Sequence, residues 1–159
     1  MLNAFYTAFS PACFALLGLW MVVVQLRISD WKRSDDHDKS HVHQQRSYGV
    51  ALHFALPGLM SLLALINPQD PLYWRVSFIV ISLSGAVVMY LLRGRIEDIP
   101  AWLDYPVYGA AIVLYLLIGA FAILRLLRVE AILLTVLVFL GFNVAWLLLY
   151  SHLPKKRLG

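Results

Sequence analysis

The chain has 159 residues, 61% of them hydrophobic and 14% charged, with a formal net charge of +4 and a mean hydropathy of +0.74. Soluble domains carry about 45–50% apolar and about 25% charged residues, so this composition excludes a water-soluble globular domain and fits a chain solvated by lipid. The basic residues gather at segment ends and share no face with aromatics, which excludes a nucleic-acid partner, and the single cysteine, Cys13, excludes an intrachain disulfide.

The first apolar block, about residues 4–26, predicts a membrane span of roughly 34 Å, enough for a hydrocarbon core of about 30 Å with some tilt. Pro11 leaves the Thr7 carbonyl without its helical donor. No basic region precedes the block and no small-residue cleavage site follows it, so it reads as a retained span.

The polar run from Arg27 to Ser47 comes next, and it reads as a solvated loop. Arg27, Lys32, Arg33, Lys39 and Arg46 lie in it, five of the 13 basic residues. It also offers a surface on which a protein partner could dock. His37, His41 and His43, beside Asp35, Asp36 and Asp38, could hold a divalent metal, and His37 and His41 share a face if that part is helical. Interleaved Lys and Ser, and the lack of structural-zinc spacing, favour a solvated loop that binds metal only weakly.

The second span, about residues 48–66, ends at Asn67-Pro68. It contains His53, with Pro57 four residues later, so the His53 carbonyl also loses its helical donor; Gly58 adds flexibility, and Pro57-Gly58 reads as a hinge. The functional reading of His53 is a cofactor ligand, a proton-sensing group or a pore-lining group. The plainer reading is an interhelical hydrogen bond in a kinked helix. A bis-histidine haem is disfavoured, because His152 lies at the far end of another span.

The third span, about residues 74–92, carries Ser77, Ser84 and the small pair Ser82 and Ala86, and Arg93-Gly94-Arg95 closes it. In the connection that follows, Ile96, Ile99 and Leu103 alternate with Glu97, Asp98 and Asp104, which suits either a short interfacial helix or a loop bent at Pro100. The fourth span, about residues 107–124, places Tyr108, Ala111, Tyr115, Gly119 and Ala122 on one stripe, a solvated path or, more plainly, a tight helix interface. A very short break leads to the fifth span, about residues 131–151. Arg125, Arg128 and Glu130 in that break are expected to reach the outer interface, with Glu130 paired to a neighbouring Arg. In the fifth span Gly141 and Ala145 form a small-xxx-small pair around Asn143, whose amide reads as packing glue or as a group lining a constriction. Lys155-Lys156-Arg157 form a basic tail.

Ten basic residues fall on the side of the Arg27–Ser47 run and three on the other, so the N-terminus is expected outside and the C-terminus in the cytoplasm. Trp31, Trp74, Trp102, Tyr48, Tyr73, Tyr105 and Tyr150 fall at span ends as an aromatic belt, while Trp20 and Trp146 lie deeper and are expected between helices.

No Asp, Glu, Lys or Arg lies in the central part of any span, which counts against ion-coupled transport. No Ser-His-Asp set, H-E-x-x-H motif or Gly-rich phosphate loop is present, so neither an enzyme nor a cofactor is expected. The reading is a single all-α domain, a bundle of five transmembrane helices in a plasma or inner membrane, self-associating into a cyclic homo-oligomer. Its function reads first as a passive channel for ions or small solutes, formed where copies meet and lined by groups such as His53, Ser77, Ser84, Tyr115 and Asn143. A non-catalytic accessory or scaffold subunit is the alternative, and a metal- or tetrapyrrole-binding membrane protein using His53 the third.

Overall fold

Each apolar block folds as a helix, the conformation that satisfies backbone N–H and C=O groups within one segment. The structure is a computed structural model and describes residues 2–32, 37–66, 70–93 and 108–150, with the backbone alone over 27–32 and 37–46 and at 71, 148 and 150. The helices are α1 (Leu2–Lys32), α2 (His37–Ile66), α3 (Pro71–Arg93), α4 (Ala110–Leu124) and α5 (Leu127–Tyr150). Four of them, α1, α2, α3 and α5, are long and apolar enough to cross a membrane; α4 has 15 residues and is shorter. A π-turn at Tyr108 and Gly109 leads into α4. The 94–107 connection, with Trp102 and Tyr105, and the basic tail lie outside the described residues, as do the side chains of Trp31 and Tyr150.

One expectation is corrected here. The Arg27–Ser47 run is not a loop throughout: α1 continues to Lys32 and α2 already begins at His37. Polarity alone does not tell a loop from a solvated helix. No Gly or Pro lies between Gly18 and Gly49, so nothing in the sequence breaks either helix. Residues 33–36, between the two, lie outside the described residues.

Helix ends follow local chemistry. Asp70 caps α3, its Oδ1 accepting from the backbone N–H of Leu72 at 2.9 Å and of Tyr73 at 3.3 Å, and Pro71 takes the first helical position, where no N–H is needed. α4 ends in a Schellman motif: Arg125 adopts φ 62°, its N–H donates to Ala122 O at 3.4 Å, and Leu126 N–H donates to Phe121 O at 3.3 Å. Leu126 O then accepts from Val129 and Glu130 at 2.9 and 3.1 Å and opens α5, so the tight break is borne out.

α2 lies at the centre, packed against α1, α3 and α5; α3 also packs on α4, and α5 touches α4 and α1. Small residues set the closest approaches. A Cβ at Gly58 of α2 would lie 3.0 Å from Cys13 Cβ of α1. A Cβ at Gly85 of α3 would come within 2.8 Å of the Tyr115 ring, and one at Gly119 of α4 within 2.7 Å of Ser82 Oγ. The stripe on α4 is therefore a packed interface: Tyr108, Ala111, Tyr115 and Ala122 are buried and Gly119 is half-buried.

The tryptophans redistribute. Trp20 is buried as expected, its Nε1–H donating to Ser47 O at 3.0 Å. Trp74, the third residue of its apolar span, is buried, edge-on to Phe78 at 5.9 Å between ring centroids. Trp146 does not pack between helices but is exposed on the outside of α5, because the α5 stripe of Leu134, Leu137, Gly141 and Ala145 turns inward and leaves residue 146 facing out.

Candidate functional site

Hydroxyls and amides inside apolar helices have an easy partner, the carbonyl one turn back. Thr7, Ser77, Ser84, Thr135 and Asn143 all donate to the carbonyl four residues earlier, and Ser82 to the one three earlier. Against that background, four buried side-chain atoms among the described residues have no hydrogen-bond partner: His53 Nε2, Ser61 Oγ and both carboxyl oxygens of Glu130. They lie on α2 and α5, at two levels of the bundle.

At the first level, His53 is buried with Nδ1 2.7 Å from Gly49 O. A carbonyl only accepts, so Nδ1 carries the proton and Nε2 is left as a bare acceptor. The expected interhelical hydrogen bond is therefore corrected: the bond returns to the same helix. The ring's neighbour across the helix gap is Gly141, with Phe54 beside it. Pro57 is buried within α2, and Gly58 O accepts from Ser10 Oγ of α1 at 3.1 Å, so Pro57-Gly58 is a close α1–α2 contact.

At the second level, Glu130 stands in the first turn of α5 with 0% of its surface exposed. The sequence reading placed it at the outer interface, and the structure corrects this: residue 130 begins the buried stripe that continues through Leu134, Leu137 and Gly141. Tyr6 of α1 lies close enough to feel its charge and donates its hydroxyl to Leu127 O at 3.3 Å. Arg75 of α3 supplies the counter-charge, but its Nε–H and Nη2–H donate to Ala122 O and Ile123 O, both at 3.0 Å. The guanidinium thus caps the negative end of α4 and makes no hydrogen bond to Glu130. Tyr6, Arg75 and Ser61 are absent from the sequence-based set. The signal for Tyr6 and Ser61 was periodicity: Tyr6 starts the buried series Tyr6, Ser10, Cys13 and Trp20, and Ser61 sits in the series Val50, His53, Pro57, Ser61 and Ala64.

The expected pore-lining groups fare differently. Tyr115 is fully buried, with its hydroxyl 3.4 Å from Leu52 O, and packs rather than lines. Asn143 is exposed and donates to Phe139 O at 2.7 Å, so it bonds to its own helix and not across a helix gap. It lies two positions beyond Gly141, which rotates it about 200° away from the α2 contact. Ser84 is exposed and Ser77 half-buried, bonded to Val80 O and Tyr73 O. The side chains of His37, His41 and His43 lie outside the described residues, and no metal-holding group of three His, Cys, Asp or Glu occurs among the described ones.

Comparison with protein-family models, with curated proteins and with solved structures finds no match for the chain.

Proposed function

We propose that this chain is a non-catalytic, multi-pass membrane protein whose copies associate side by side, leaving a passive path for ions or small solutes between them. The observation that carries this is Asn143, a carboxamide on the outer surface of the apolar helix α5. Its Nδ2 donates to Phe139 O, and no hydrogen bond to its Oδ1 is found among the described residues. Facing lipid, that oxygen stays unsatisfied; facing another helix, it finds a donor or lines a wetted gap. Ser77 and Ser84 also lie outside the close-packed core, on α3, so the polar groups available to a path sit on outer faces. The interior is filled instead by side chains such as Tyr115, Phe78, Met60 and Leu137.

The bundle threads with its N-terminus outside, from the ten-to-three division of basic residues. α1 has 31 residues and α2 has 30, so each rises about 45 Å and outreaches a hydrocarbon core of about 30 Å. These extensions favour a second reading, an accessory subunit that docks other proteins through the projecting helix ends. Purified protein in liposomes separates the two. Release of a trapped small solute by wild type, reduced in Asn143→Leu, supports the path. Tight liposomes, with partner proteins retained through purification, support the docking subunit and contradict the path.

A further inference from the structure

The second buried level carries an inference that does not depend on association between copies. Apart from the remaining N–H groups of Arg75, the groups there with unused hydrogen-bonding capacity among the described residues are oxygens. Glu130 presents two carboxyl oxygens without partners. Tyr6 directs its proton to Leu127 O, three residues before Glu130 on the same turn of α5, which leaves its oxygen lone pairs. Ser61 is fully buried on α2, and its hydroxyl makes no bond, although an i−4 carbonyl accepts from Thr7, Ser77, Ser84 and Thr135. α2 and α5 run antiparallel, with Val50 and Phe54 clustering with Val144 and Ala145, and Met60 and Ala64 with Ala131 and Leu134; the His53–Gly141 contact then sets a register that brings Ser61 within about one helical turn of Glu130 along the axis. Met60, Ala64, Ala131, Leu134 and Tyr6 surround this level in one apolar cluster.

Arg75 supplies a counter-charge to Glu130 but no hydrogen bond, so both carboxyl oxygens stay open to a ligand. Arg75 holds the Ala122 and Ile123 carbonyls, and Arg125 and Arg128 are exposed on the turn. The first turn of α5 adds a favourable field for an anion but leaves both carboxyl oxygens without a bond. A buried carboxylate with no donor is strongly disfavoured, and a small hard cation is the partner that a set of oxygen acceptors takes.

We propose that Glu130, with the Ser61 and Tyr6 hydroxyl oxygens, forms a binding site for a small monovalent cation at the end of the bundle where α4 turns into α5. The cation bridges α1, α2 and α5 and so stabilises the folded bundle by mass action.

The test is thermal unfolding of the full-length chain in mild detergent at neutral pH, titrated with sodium, lithium, potassium or choline chloride at constant ionic strength. Wild type is expected to gain roughly 5 °C or more at saturating concentrations of the preferred metal ion over choline. Glu130→Gln is expected to lose that gain, and Ser61→Ala to raise the half-saturating concentration about tenfold. Should Glu130→Gln fail to fold, Ser61→Ala decides: an unchanged titration midpoint overturns the site. Equal melting temperatures in all four salts overturn it too, as does a Glu130→Gln protein that keeps the metal-ion response. An infrared band of a protonated carboxyl, present in wild type at saturating metal ion and absent from Glu130→Gln, would also overturn it by showing a proton where the cation should be.

Discussion

Gly141 lies directly against His53: a Cβ built on residue 141 would overlap the His53 Cβ and stand 3.2 Å from its Cγ and 3.5 Å from Phe54 Cε1. The obstructing atom is fixed to the α2 backbone and cannot rotate away. Gly141→Ala should therefore already force α2 and α5 apart, at a cost of about 1–3 kcal/mol, and Gly141→Leu should cost more. Thermal unfolding of the two variants checks this. An alanine variant as stable as wild type would mean that the helices do not approach at this point.

The hydrogen bond from His53 to Gly49 O fixes the tautomer of a buried ring. Ring-nitrogen NMR shifts of the labelled protein should show a protonated Nδ1 and a bare Nε2. An Nε2–H tautomer would contradict the geometry. Because the bond is local to α2, His53→Gln should leave solute release unchanged, whereas a loss of release in that variant alone would place the ring in the working path.

On the other side of α2, the Tyr115 ring fills the space above Gly85, with three ring atoms 2.8–2.9 Å from where a Cβ would stand. Its hydroxyl reaches Leu52 O only at 3.4 Å. Shape should therefore outweigh polarity here. Tyr115→Phe should cost less than about 1 kcal/mol, and Gly85→Ala about 1–3 kcal/mol. Unfolding measurements that rank the two in the opposite order would refute the packing account.

These residues mark what could be read without coordinates. Helix number is legible because long apolar runs leave the backbone one economical conformation, although only four of the five helices are long enough to cross a membrane. Proline and glycine placed the stops well: α2 ends at Ile66, before Asn67-Pro68. The helical extensions through 27–32 and 37–46 are hidden by their polarity, which fits a loop as well as a helix, although neither holds a Gly or Pro. The candidate site was legible only in part. His53 stood out as a titratable residue inside an apolar run. Glu130 sits at the edge of such a run, where charge is ordinary, and only its place in the stripe with Leu134 and Leu137 betrays its burial. Asn143 was assigned to the helix interface because it neighbours Gly141, yet two residues along a helix point to opposite sides.

Threading gives an independent prediction. With Cys13 replaced by Ala, a single cysteine introduced at Ser40 should resist a membrane-impermeant thiol reagent in intact cells, and one at Asp70 should react. In the proposed threading, the Ser40 position shares its side with ten of the 13 basic residues. The reverse labelling pattern would invert the topology.

The central claim is that copies of the chain meet through outward-facing polar groups, with Asn143 foremost. Counting copies by photobleaching steps of a dye-labelled chain, reconstituted at low density in liposomes, tests it most directly. Wild type should bleach in several steps per particle, and Asn143→Leu, whose outward position leaves the bundle's melting temperature unchanged, should bleach mostly in one. Single steps for wild type, or the same step distribution in both proteins, would contradict the account.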